Sequence, residues 1–162
     1  MGKINTISDD FIKFLEKYEG FSAKPYKCPS GIWTIGIGTT FYFDTKKRVS
    51  KNDKPITHDE AVRLAKGHIN SVFAPLCDKL CRDDLNQNEF NAVVDFLYNA
   101  GATYIDKNGK QQYYNLFHNI NQNMPEAELS KYWKKLCITG GGKKLNGLII
   151  RRQDEVTLFF KK

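Results

Sequence analysis

No stretch of this 162-residue sequence approaches the roughly 20 consecutive apolar residues of a membrane-spanning helix, which excludes a helical membrane protein. The start, Met1-Gly2-Lys3-Ile4-Asn5-Thr6, lacks an apolar leader segment. No signal peptide or signal anchor is therefore expected, and the chain is expected to begin its life in the cytoplasm. Internal repeats and low-complexity tracts are also missing, which excludes a solenoid or a disordered linker protein. Cysteine is sparse: Cys28, Cys77, Cys81 and Cys137. Without a leader they are expected as free thiols rather than a disulfide framework. Cys77 and Cys81 lie one helical turn apart, a spacing that suits a metal, but no second pair of ligands follows. Buried thiols are the better reading, and no cofactor or metal is expected.

Acidic residues are the minority, 18 against 25 Lys and Arg, for a formal net charge of +7. That excess favours polyanions (nucleic acid, an anionic membrane surface or an anionic cell wall), and it equally fits a soluble basic surface. The basic residues are scattered apart from Lys46-Lys47-Arg48, Lys143-Lys144 and Arg151-Arg152. No helix carries a dense basic recognition face, so neither nucleic-acid binding nor membrane insertion is expected. The composition, 41% hydrophobic and 13% aromatic, is enough for a real core in one domain spanning residues 1–162.

The first element reads as a helix. Ser8 is a good N-cap, Asp9 and Asp10 put negative charge in the first turn, and Gly20 is a natural stop. Phe11, Phe14, Leu15 and Tyr18 follow the spacing of a buried stripe, with Glu19 at its edge. From Phe21 to Phe43 the sequence turns glycine-rich, β-branched and aromatic. Pro29-Ser30-Gly31 reads as a turn between strands, Ile32–Ile37 as the second strand and Thr39–Phe43 as a third.

Beyond Thr57 the signals are helical. A capping box opens at Thr57, and Pro75 is expected to end or kink that helix. A variant box opens at Asn86, and its helix closes at Asn99-Ala100-Gly101. Tyr113–Ile120 is a shorter candidate, and Pro125 opens another helix. Gly140-Gly141-Gly142 reads as a flexible joint before a last helix from near Asn146. The expected class is α+β: an N-terminal helix and small β-lobe over about residues 1–56, and a larger helical lobe over about 57–162.

Glu19 is poorly placed for stability. At a helix C-terminus it meets the negative end of the macrodipole, beside apolar Leu15 and Tyr18. Both effects favour a carboxyl that still holds a proton, as a general acid must. The plain alternative is an exposed Glu paired with Lys17 or Lys24. The hairpin adds weight to catalysis. If Pro29-Ser30-Gly31 is the loop, Cys28 faces Ile32 and lies diagonal to Thr34 on one face. Gly36 on that face would leave room for a ligand, while Trp33, Ile35 and Ile37 look like core.

Glu19, eight residues, Cys28, five residues, Thr34 resembles the Glu–x8–Asp/Cys–x5–Thr triad of the phage-type lysozymes, the endolysins of glycoside hydrolase family twenty-four. The surrounding Tyr18-Glu19-Gly20-Phe21 and Gly31-Ile32-Trp33-Thr34-Ile35-Gly36-Ile37-Gly38 are similar to that family. So are Leu85–Gly101 and the stretch Gly147-Leu148-Ile149-Ile150-Arg151-Arg152-Gln153-Asp154-Glu155. The resemblance spans nearly the whole chain. It implies hydrolysis of the β-1,4 bond between N-acetylmuramic acid and N-acetylglucosamine in bacterial peptidoglycan. Glu19 would protonate the leaving oxygen, and Cys28 and Thr34 would bind or orient the water. It also implies a groove between the lobes, bridged by the helix that opens at Thr57. In biological terms it implies host lysis by a phage or prophage enzyme, a monomer that depends on a holin-type protein for release.

Two positions depart from the commoner family pattern. Cys28 stands where Asp is usual, and Thr39 where many members have His. A neutral thiol is a poor base and a thiolate a good one. A retaining glycosidase needs a second carboxylate close to the acid, and only Asp44 and Asp53, in later loops, are on offer. Inversion is therefore expected. Arg151 or Arg152 is a candidate to hold Glu19; the alternative is plain surface charge on a helix. Rival readings are a lytic transglycosylase, against which Thr34 argues, a glycan-binding domain without catalysis, and an exported or tail-borne antibacterial lysozyme.

Overall fold

The computed structural model describes residues 3–162. The chain divides into two compact units. One is Thr6–Ala74; the other is Pro75–Lys162 with the described residues before Thr6.

In the first unit α1 (Asp9–Glu19) begins after Ser8 and stops at Gly20, whose φ of 66° is open to glycine and whose N–H returns to Glu16 O. The stripe read from the sequence is its inner face: Phe11 and Leu15 are fully buried, joined by Ile12. Each such side chain contributes about 2 kcal/mol of burial. The hairpin β1 (Ser22–Lys27) and β2 (Trp33–Gly36) follows, antiparallel, with Tyr26 opposite Thr34 and Lys27 opposite Trp33. The expected third strand over 39–43 is reduced to isolated bridges, Ile35 with Thr39 and Phe41 with Arg48. The chain turns back at Tyr42–Lys47 too early for a ladder to form.

The long helix α2 (His58–Leu80) starts as expected, with Thr57 Oγ1 accepting from Glu60 N at 3.1 Å. Glu60 does not complete the box, because its carboxylate turns to Arg63. Pro75 does not end the helix. It sits inside α2, and the division between the two units falls at its N-terminal side. A proline removes one backbone donor, but Ala74 and Cys77 on either side are fully buried and hold the helix through it. Within the first unit α2 is tied to α1 by His58 Nε2 to Glu16 Oε1 at 2.8 Å and by the Lys66–Asp9 ion pair.

In the second unit α3 (Gln87–Ala100) has its full capping box between Asn86 and Glu89, and Gly101 closes it. A hairpin of three-residue strands, β3 (Thr103–Ile105) and β4 (Gln111–Tyr113), follows. The helix expected over 113–120 is therefore shifted to α4 (Asn115–Asn121). Pro125 does open α5 (Glu126–Trp133). The triple glycine is not a free joint: Gly140 ends β5 (Thr139–Gly140), and Gly141-Gly142 turn the chain into β6 (Lys143–Lys144). The last helix is α6 (Asn146–Phe159).

Helices α3 and α6 pack around a buried polar network. Arg151 Nε and Nη2 each reach Asp95 at 2.8 Å. Arg152 Nη2 donates to Glu155 Oε1 at 2.6 Å and to Asn99 Oδ1 at 2.7 Å, and Trp133 Nε1 donates to Glu155 Oε2 at 2.8 Å. Asp95, Arg152 and Glu155 are fully buried, so the two arginines are not surface charge. Burial, with the charge of Asp95 nearby, pushes the Glu155 carboxyl well above its usual range. Cys77 and Cys81 are free, buried thiols. The Cys77 thiol is pushed up by its bond to Cys81 and by burial.

Candidate active site

All three candidate residues lie in the Thr6–Ala74 unit. Glu19 is the last residue of α1 and is half-buried. The hairpin register then places the other two as the turn chemistry predicted. Cys28 N donates to Ile32 O at 3.0 Å and Gly31 N to Cys28 O at 2.8 Å, which closes the loop Pro29-Ser30-Gly31. Gly31 takes φ of 81°, the left-handed conformation the turn requires. With Tyr26 opposite Thr34, side chains at alternate positions put Tyr26, Cys28 and Thr34 on one face.

Tyr26 shares this face. Its phenol is pushed up by burial, then by the charges of Glu19 and of Cys28. It had not been singled out from the sequence. The available signal was its place two residues before Cys28, hence on the same side of β1.

The Cys28 sulfur stands 2.9 Å from Ser30 Oγ. The thiol is lowered to about 7, first by the Ser30 hydroxyl and then by the backbone of Ile32. About half of it is therefore thiolate near neutral pH. Thr34 Oγ1 donates to Ile32 O at 3.1 Å. With its one proton so used, its lone pairs remain to accept from water.

Two expectations about this face need correcting. Thr34 is only 3% exposed, so the face is not an open surface at that position. Gly36 does not make room for a ligand: a Cβ there would stand 3.0 Å from the Ala61 Cβ and 3.1 Å from Ile56 Cδ1. The missing side chain lets α2 approach the hairpin. On the other face Ile35 and Ile37 are core as expected. Trp33 is half-buried with the Lys27 ammonium over its ring.

Asp44 and Asp53, the later carboxylates, are both engaged elsewhere. Asp44 pairs with Arg63 at 3.1 Å, which with the Thr45 N–H holds its carboxyl below the usual range. Asp53 Oδ2 accepts from Tyr42 Oη at 2.8 Å and from Ser50 N at 2.9 Å. Burial and that bond push the Tyr42 phenol up to about 12. Both carboxylates line a cavity of about 360 Å³, with Arg48 and Arg63, that includes none of the three candidate residues. Among the described residues no group of three or more His, Cys, Asp or Glu is placed to hold a metal.

A helix that ends on a carboxyl, a hairpin that answers it with a polar face, and a separate helical unit define the class: an α+β glycoside hydrolase of the lysozyme type. Solved structures agree on the fold. The endolysin of Escherichia coli O157:H7 phage FAHEc1 matches with a TM-score of 0.77 at 22% identity, over 99% of this chain and 96% of that one. The active form of the P1 phage endolysin Lyz matches with 0.74 at 24% identity, over 94% and 84%. The endolysin of Acyrthosiphon pisum secondary endosymbiont phage 1 is 29% identical over 94% of this chain and 97% of its own length. The chain belongs to the phage lysozyme family, whose model matches residues 16–155.

Proposed function

We propose that this enzyme cleaves the β-1,4 bond between N-acetylmuramic acid and N-acetylglucosamine in bacterial peptidoglycan, with inversion, through Glu19, Cys28 and Thr34. The observation that carries the reading is the single polar face that joins Cys28 and Thr34 across the hairpin that follows directly after Glu19 at the end of α1.

Glu19 gives its proton to the glycosidic oxygen as the bond to the anomeric carbon breaks. A water molecule attacks that carbon from the opposite side of the ring. Thr34 Oγ1, its proton held by Ile32 O, accepts one hydrogen of the water. The Cys28 thiolate accepts the other and takes that proton as the new C–O bond forms. Asp44 and Asp53 are bound to Arg63, Tyr42 and backbone donors, which supports a route without a carboxylate nucleophile.

The biological role is host lysis by a phage enzyme, acting as a monomer. The cytoplasm is its place of storage, and a holin-type protein opens the way to the wall. Among the described residues no helix is long and apolar enough to cross a membrane. The relative from Haemophilus phage HP1, 26% identical, is a SAR-endolysin, which makes direct export the second route to test.

Mass spectrometry of digested peptidoglycan tests the reaction. Hydrolysis adds one water to each cut, and a transglycosylase leaves an anhydro sugar. Clearing of the suspension is expected for the wild-type chain and not for Glu19→Gln. Clearing by folded Glu19→Gln would refute the assignment.

A further inference from the structure

The loop between β1 and β2 is Pro29-Ser30-Gly31, and Ser30 supplies its only side-chain hydroxyl. That hydroxyl lies 2.9 Å from the Cys28 sulfur. Its position is fixed by the backbone rather than by a flexible stem. Cys28 and Ile32 are bonded across the base of the loop, Gly31 N returns to Cys28 O, and Pro29 restricts φ at the first loop position. While the sulfur carries a proton, either atom can be the donor. Once the sulfur is an anion, only the Ser30 O–H can donate, and the bond becomes charge-assisted.

We infer that Ser30 is a positioning residue: its hydroxyl donates to the ionised Cys28 sulfur, holds it on the Thr34 side of the hairpin, and sets the pH at which the site acquires its base. This rests on the reading of Cys28 as the base. The Ser30 hydroxyl leads the groups that support the anion, ahead of the backbone at Ile32 and at Ser30. Tyr26 on β1, its phenol pushed up by burial, is neutral in the range where the thiol ionises and brings no positive charge to the sulfur. Thr34 on β2 gives its proton to Ile32 O at 3.1 Å and adds only a lesser support to the thiolate. The adjacent cation, Lys27, lies over the Trp33 ring on the opposite face of the hairpin. Ser30, 2.9 Å from the sulfur, is the leading side-chain support for the anion.

The test compares Ser30→Ala and Ser30→Thr in the full chain, with two readouts. The first is the rate of Cys28 alkylation by iodoacetamide against pH, with Cys28→Ser subtracting reaction at the other thiols. The second is the ascending limb of peptidoglycan hydrolysis. In Ser30→Ala both midpoints are expected to move up by about one pH unit, about a tenfold loss of thiolate at a fixed pH below them. Ser30→Thr keeps the hydroxyl and is expected to stay near wild type in both. An alkylation midpoint unmoved in Ser30→Ala would overturn the role of Ser30 and leave the Glu19 reading intact. A moved alkylation midpoint with an unmoved hydrolysis limb would overturn the role of Cys28 as base, and this inference with it.

Discussion

Acidification separates a cysteine base from a carboxylate base. The Cys28 thiol ionises at about 7. The working form is the deprotonated one, so the rate rises with pH through that value and falls below it. At about pH 5.5 the thiolate fraction is about 3%, against about 90% at about pH 8, a roughly thirtyfold span. Cys28→Asp replaces the thiol by a carboxyl that ionises near 4, so its ascending limb moves down by about three units. At about pH 5.5 the aspartate variant should then outrun the wild-type chain, reversing any advantage the thiolate holds at about pH 8. The assay is release of new reducing ends from a soluble peptidoglycan oligosaccharide at fixed ionic strength, which avoids the pH dependence of adsorption to an anionic wall. If the wild-type chain keeps half its rate at about pH 5.5, or if both chains share one ascending limb, the thiolate is not the base.

Three further outcomes follow from the same structure. At about pH 8, Cys28→Ser should keep more activity than Glu19→Gln or Thr34→Ala, since a hydroxyl can still hold the water; equal loss in three folded proteins would sink that ranking. Gly36→Ala should lower stability by about 1–3 kcal/mol in urea unfolding, because its φ is 64° and its Cβ would press on Ala61 and Ile56. A stability equal to wild type would mean that α2 gives way freely. Asp95→Ala strips a buried carboxylate from Arg151 and should cost about 3–5 kcal/mol in the same assay, with a change under about 1 kcal/mol contradicting the burial of that pair.

Local chemistry made much of this molecule legible in the sequence. Gly20 after an amphipathic stripe, the Asn86–Glu89 box and Pro125 each mark a helix boundary, and the structure puts boundaries there. The hairpin register was readable because a three-residue loop fixes which side chains share a face. What stayed hidden depends on distant partners. Gly36 looked like an opening because the sequence does not show that Ala61 of α2 packs against it. Arg151 and Arg152 read as a partner for Glu19 or as surface charge, because the sequence does not show that their carboxylates come from α3 and from the next turn of α6. The β3–β4 hairpin escaped notice because its strands are too short to alternate. Its signal was Asp106-Lys107-Asn108-Gly109, where the Asp106 carboxylate accepts from the N–H groups of Asn108 and Lys110. Pro75 does not end α2, because packing on both sides outweighs one missing hydrogen bond.

The central claim is that Glu19 acts as acid for a water-borne attack, with no carboxylate nucleophile. The most direct test is proton NMR of the anomer that first appears at the new reducing end during cleavage of a peptidoglycan oligosaccharide. Inversion of a β bond predicts the α-anomer first, followed by slow mutarotation. Appearance of the β-anomer first, or of an anhydro sugar with no reducing end, would contradict it.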